Sequence, residues 1–118
     1  MKDMLSIEET LNYIRDKAQP HAEALANRDY LKEFRKSKKA MLINEAEIKG
    51  IKGAQQRESY AYANEQYIEL LEGLKVATER ESYLRHQIKA AELRIDVWRS
   101  QYSRQKAEIN AYNSKGAM

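Results

Sequence analysis

The sequence EQYIELLEGLKVATERESYLRHQIKAAELRIDVWRSQYSRQKAEI, residues 65–109, decides the fold of this chain. Its residues form a seven-residue repeat in which two positions, a and d, are mostly apolar. Position a holds Tyr67, Leu74, Glu81, Ile88, Ile95, Tyr102 and Ile109. Position d holds Leu70, Ala77, Leu84, Ala91, Trp98 and Gln105. A seam of about six heptads is typical of one long helix in a coiled coil or slender bundle.

The first half of the chain also has a helical pattern. Ser6 and Glu9 form a capping box, so a helix is expected to begin at about Ile7. Pro20 either kinks or ends this helix, or it occupies the first turn of a second, separate helix. Apolar residues continue at helical spacing until a stop signal in the sequence KGIKG, residues 49–53.

These patterns predict a single helical domain in four parts. The first arm covers residues 6–50, a loop covers residues 51–64, the long helix covers residues 65–109, and the tail, residues 110–118, is expected to fray. Asn64 is a suitable N-cap for the long helix. The two arms have equal lengths of about 65–70 Å, so they can pack as an antiparallel helical hairpin.

The hairpin model predicts a register for the two arms. If the loop pivots near residues 57 and 58, facing residue numbers add up to about 115. The pairs expected from this register are Met41 with Leu74, Leu31 with Leu84, Ile48 with Tyr67, and Lys38 with Ala77 and Glu81. Glu81 is the acidic residue in the a series, and a pairing with Lys38 or Arg35 would fix the register.

The long helix has a second apolar face that the hairpin does not cover. This face consists of Val76, Tyr83, Ala90, Leu93 and Val97. Two helices alone bury little apolar surface, so we expect a homodimer that completes a four-helix bundle. In the alternative, the first arm folds back at Pro20 and makes a three-helix monomer.

The composition excludes several classes of protein. The 118 residues include no cysteine, one proline and four glycines, which rules out a disulfide-stapled fold, a zinc finger and a turn-rich β-fold. The N-terminus lacks the pattern of a signal peptide, and no window approaches the about 18 apolar residues of a membrane span. The expected protein is cytoplasmic and has no membrane partner. Its net charge of +3 argues only weakly for nucleic acid.

No motif in the sequence indicates catalysis. His21 and His86 lie outside the HExxH and ExxH frames that metal sites in helices require. Ser103 and Lys106 form an SxxK string without its companion motifs, and no phosphate-binding glycine loop is present. We therefore expect no catalytic residues, no metal and no cofactor, and interpret the protein as non-enzymatic.

Two groups of cations could bind a partner. The first, called here the basic cluster, consists of Lys32, Arg35, Lys36, Lys38 and Lys39, opposed in its own segment only by Glu33. The second group consists of Arg99, Arg104 and Lys106, interleaved with Trp98 and Tyr102. Cations beside aromatic rings can hold phosphates while the rings stack on bases. Alternatively both groups are solvated helix surface, with Trp98 packed inside the bundle.

Two tyrosines in the predicted loop form a third candidate. Tyr60 and Tyr62, in the sequence SYAYAN, either present a contact surface to a partner or cap the open end of the hairpin.

The words EFRKSKKA (residues 33–40), YIELLEGLKVA (67–77) and VWRSQ (97–101) resemble a family of small uncharacterised helical proteins of tailed phages and prophages. The resemblance covers about residues 7–105 and implies a phage protein of the host cytoplasm, encoded near recombination or strand-annealing genes. Three functions are compatible with it. The first is DNA binding in phage recombination or replication, the second is inhibition of a host defence or nuclease complex by protein binding, and the third is a structural scaffold for phage proteins.

Overall fold

The computed structural model describes the backbone of residues 2–116 and the side chains of residues 7–115. This part of the chain contains three helices and no strand. Helix α1 is Lys2–Ile48, helix α2 is Ala54–Ala63 and helix α3 is Glu65–Gly116. The prediction of an all-α fold is therefore confirmed.

Helix α1 continues through Pro20. Proline has no backbone N–H, so the carbonyl of Asp16 loses the hydrogen bond that an uninterrupted helix would give it. The helical bonds on both sides persist, and residues 2–48 form one element. A separate second helix and a fold-back at Pro20 are therefore both wrong.

The chain reverses direction at residues 49–53. The N–H of Ile51 donates to the carbonyl of Ala46, and the N–H of Gly50 donates to that of Glu47, both at 3.0 Å. This pair of bonds is a Schellman motif, which requires a left-handed residue directly after the helix. Gly50 supplies it with φ +85°. The stop signal predicted at the glycines is thus the turn itself.

Helix α2 replaces most of the predicted loop. Its first residues are polar but favour helix, because alanine, glutamine, arginine and glutamate all have high helix propensity. Ala61 is fully buried against Leu42 of α1 and Tyr67 of α3. The sequence does not predict this short helix, because its residues are mostly polar and lack a long apolar repeat.

Helix α3 begins where the sequence predicts and ends later. The backbone N–H of Gln66 donates to Oδ1 of Asn64 at 2.9 Å, so Asn64 is the N-cap of α3. At the other end the helix runs to Gly116, where the sequence predicts fraying after residue 109. Residues 110–115 lack the heptad repeat but still include one alanine, Ala111, and one lysine, Lys115, which favour helix.

The chain divides into two compact units. The central unit is Gln19–Tyr83, and the terminal unit combines Met1–Ala18 with Leu84–Met118. The core of the central unit is small: Leu42, Ala61 and Tyr67 are buried together, with Ile43 packed against them. In the terminal unit Thr10 and Leu84 are buried.

The predicted register within the central unit is wrong. Lys38 bonds to Gln66, about three helical turns along α3 from its predicted partner Ala77. Ile48 and Met41 are 79% and 57% exposed, so neither is buried in the predicted contacts with Tyr67 and Leu74. The reason is the position of the reversal. Because the chain turns at residues 49–53 and not near residue 57, every partner of α1 lies further toward the start of the return arm.

Candidate nucleic-acid interface

The basic cluster of α1 lies beside α2 and the start of α3 in the central unit. Three of its five residues line a groove with two tyrosines, and the groove volume is about 330 Å³. The lining residues are Arg35, Lys36, Lys39, Tyr62 and Tyr67. Helical spacing explains why Arg35 and Lys39 both line the groove, because residues 35 and 39 are one turn apart and share a face of α1.

Arg35 is the distinctive residue of the groove. Its side chain is half-buried, yet it has no hydrogen bond or ion pair within the described part of the chain. Arginines removed from water are usually paired with carboxylates, because desolvation of an unpaired charge is costly. The planar guanidinium offers five N–H donors in a geometry that matches carboxylate or phosphate. An anion in the groove would supply the missing partner.

Lys39 is held in place on the same face. Its Nζ lies 3.4 Å from Oε1 of Glu58 and 4.7 Å from the centre of the Tyr62 ring. The interaction with Tyr62, supported by Glu58, raises the pKa of Lys39 above its ordinary value. Lys39 is therefore a fixed cation at the edge of the groove, and α2 provides the groups that fix it.

Tyr62 and Tyr67 form the aromatic wall. Their rings meet edge to face, with centroids 5.5 Å apart. Tyr67 is buried in the core, whereas Tyr62 is about half exposed. Tyr60 instead accepts a hydrogen bond of 2.8 Å from Nζ of Lys49, beside the reversal at residues 49–53. Tyr60 and Tyr62, the two tyrosines of the predicted loop, therefore have different roles: Tyr60 covers the turn and Tyr62 lines the groove.

The other three residues of the basic cluster have looser settings, and two of them, Lys32 and Lys38, lie outside the groove lining. Lys38 donates to Oε1 of Gln66, which ties α1 to α3. Lys36 does line the groove, and its Nζ also lies 3.4 Å from Glu33, but both side chains are mostly exposed. Exposed pairs of this kind contribute only about 0–1 kcal/mol, so Lys36 can change partner easily. Lys32 is exposed and has no ion pair with any described residue.

The second group of cations lies on open helix surface, and of its three members Arg99 lines a groove, with Asp96, Ser100 and Ser103 but with no aromatic ring. Arg99, Arg104 and Lys106 are all exposed on α3 in the terminal unit. Trp98 is half-buried and its ring stacks on Tyr102 at 5.5 Å between centroids. Tyr102 is itself more than half exposed, so it does not face a bundle interior within the described chain.

Glu81 forms a buried ionic site that the sequence predicts with the wrong partners. Only 2% of Glu81 is exposed. Its Oε1 accepts a hydrogen bond of 2.8 Å from Nη1 of Arg28, and its Oε2 lies 2.9 Å from Nε2 of His21. The expected partners, Lys38 and Arg35, lie further along α1. His21 and Arg28 are seven residues apart, so they lie on the same face of α1. With the correct register, this spacing would have identified both of them as partners of Glu81.

The described residues hold no group of three histidine, cysteine or acidic side chains that could bind a metal ion. Within the same residues, no helix combines the length and apolar content needed to cross a membrane. No family model, no curated protein and no solved structure matches this chain.

Proposed function

We propose that this chain is a non-enzymatic protein that binds nucleic acid through phosphate contacts in the groove of the central unit. The observation that carries the proposal is Arg35, a half-buried guanidinium without an acidic partner among the described residues. A backbone phosphate would accept hydrogen bonds from Arg35 and attract Lys36 and Lys39 beside it.

The aromatic wall favours a single strand. The half-exposed ring of Tyr62 stands next to the cations, and unpaired bases stack on such rings without regard to sequence. Lys32 would add long-range attraction from outside the groove. The resemblance to phage proteins suggests the setting, which is recombination or replication of phage DNA.

The proposal includes a homodimer that completes a four-helix bundle. The chain exposes 9314 Å² of surface, whereas folded monomers of its mass, 13.8 kDa, expose about 6,600 Å². The predicted second face of α3 contributes to this excess, since Val76, Tyr83, Leu93 and Val97 are all exposed. Burial of these side chains against a second copy would reduce the excess.

Fluorescence anisotropy with labelled single-stranded and double-stranded DNA tests the nucleic-acid proposal. We expect binding that weakens steeply between about 50 and 200 mM salt, because each neutralised phosphate releases counterions. Arg35→Gln should weaken binding at least about tenfold and reduce the salt slope by about one contact.

Lys75→Gln is the matched control. It removes the same charge from an exposed position on α3 in the same unit, outside the groove. Its binding should stay close to that of the wild-type protein. Absence of binding at low salt with both kinds of DNA, or equal losses in the two variants, would reject the groove as a nucleic-acid site.

A protein partner is the second candidate, favoured by an exposed aromatic pair near the basic cluster. Tyr30 and Phe34 stack on α1 with ring centroids 5.9 Å apart, and both remain exposed. Cations beside exposed rings also suit an acidic, partly apolar protein surface. Such a partner, from host or phage, would bind the face of α1 that carries Tyr30 and Phe34, which do not line the groove. Tyr30→Ser should weaken this binding, and added DNA should not displace the partner.

A further inference from the structure

The terminal unit contains a second groove, which the proposed nucleic-acid site does not use. It has a volume of about 350 Å³ and lies between α1 and α3. Its lining residues are Glu9, Thr10 and Tyr13 from α1 and Gln87, Ala90, Ala91 and Arg94 from α3. The small side chains of Ala90 and Ala91 leave space that a larger side chain from another helix could fill.

Large apolar side chains continue this groove along α3. Val97 follows Ala90 by seven residues, two helical turns, and therefore lies on the same side of α3. Val97 is 57% exposed, and Leu93, between them, is 54% exposed. A groove next to exposed apolar side chains is typical of a helix-packing surface, where side chains of one helix enter spaces on another.

The charges at the groove indicate which partner fits. Glu9 lies on the α1 side and Arg94 lies on the α3 side. A purely acidic or purely basic partner would meet one like charge. A second copy related by a two-fold axis would place its own Glu9 near Arg94 and its own Arg94 near Glu9, because such an interface uses the same patch twice.

The available area also suits a second copy. The surface exposed beyond that of a typical monomer of this mass is about 2,700 Å². A stable interface of standard size buries about 800 Å² on each partner. The chain therefore exposes more surface than an interface of this size requires.

We infer that a second copy of this chain docks on the groove of the terminal unit, with Ala90 and Val97 at the centre of a two-fold symmetric interface. The inference rests on the dimer of the proposed function and names its surface. It is independent of nucleic-acid binding, because none of the basic-cluster residues lines this groove.

Light scattering across a range of protein concentrations tests the inference with the full chain. Val97→Glu and Ala90→Glu each place a charge in the proposed interface. Each should raise the dimer dissociation constant at least about tenfold, because both copies carry the change. Glutamate favours helix and would stand four residues before Arg94 in Ala90→Glu, so the helix itself should be preserved.

Leu11→Glu is the matched control. Leu11 is 51% exposed in the same unit but does not line the groove. It should remain dimeric. Circular dichroism should show equal helix content in all variants. If Val97→Glu loses helix, the light scattering of Ala90→Glu alone tests the interface.

Three results would overturn the inference, and they can be told apart. A monomeric wild-type protein rejects both the surface and the dimer. A dimeric wild-type protein with dimeric Ala90→Glu rejects the surface and leaves the dimer standing. Dissociation by Leu11→Glu as well shows that the interface is not the one named here.

Discussion

Glu81 shows how one buried charge constrains the pairing of two helices. It is almost completely buried, and its two oxygens face His21 and Arg28 of α1. A slip of α1 by one turn would take both of these partners away from a buried carboxylate, which is costly. The ionic site therefore favours one register over its neighbours, as polar residues in coiled-coil seams do.

Replacement of Glu81 by leucine should destabilise the protein. Glu81→Leu leaves Arg28 and His21 facing an apolar side chain, and loss of one member of a buried pair costs about 3–5 kcal/mol. Since Arg28 and His21 are each about one quarter exposed, water can still reach them, and we expect a loss of about 2–3 kcal/mol. Urea denaturation measures it.

The double variant Glu81→Leu with Arg28→Leu completes a mutant cycle. After the first change Arg28 still donates to Oδ1 of Asp29 but has lost its partner on α3. Removal of Arg28 as well should therefore recover part of the lost stability. Glu79→Leu, an exposed position on the same helix, should change stability by less than about 0.5 kcal/mol. If Glu81→Leu were as stable as the wild-type protein, the ionic site would not contribute to the pairing.

At the scale of helices, the sequence predicts what local rules determine. The capping residue Asn64, the stop at Gly50 and the long heptad helix all follow from short-range patterns, and the structure contains them. Helix α2 could not be predicted in this way, because its only buried residue is Ala61 and its position depends on contacts with α1 and α3. The wrong register is a consequence of this one omission.

Two glycines of the chain should respond to alanine in opposite directions. Gly50 has φ +85° and no neighbour within 4 Å of an added Cβ, so Gly50→Ala should cost about 1–2 kcal/mol from backbone strain alone. Gly73 lies inside α3, where an added Cβ also meets nothing within 4 Å. Gly73→Ala should therefore stabilise the protein by about 0.5–1 kcal/mol.

Urea denaturation of both variants measures these effects. The pair is a matched control, because the chemical change is the same and steric contact is absent at both sites. Equal shifts of the same sign would show that the left-handed conformation at Gly50 is not what ends α1.

At the scale of the whole molecule, the sequence predicts the cations but not their arrangement. The basic cluster is visible as a run of lysines and arginine, yet only three of its residues line the groove. Lys38 instead bonds to Gln66, and this contact can be predicted only when the register of α1 against α3 is known. Tyr62 and Tyr67 join the groove because α2 and the start of α3 pack beside α1 there. A site built from three helices cannot be read from the pattern of one.

The small core of a single copy leads us to expect that thermal stability depends on protein concentration. The buried apolar residues are few, and four of the seven described ones are alanines, so a single copy buries little apolar side-chain surface. If the dimer supplies the remaining burial, unfolding is coupled to dissociation. A tenfold rise in protein concentration then stabilises the dimer by about 1.4 kcal/mol. Thermal melts should shift upward by several degrees, about 2–6 °C.

Val97→Glu separates this coupling from any effect of concentration on aggregation. If its copies no longer associate, its melting temperature should be lower than that of the wild-type protein and should not change with concentration. A wild-type melting temperature that is equally independent of concentration would mean that each copy folds alone. The heptad seam between α1 and α3, including the Glu81 site, would then have to stabilise the fold without a second copy.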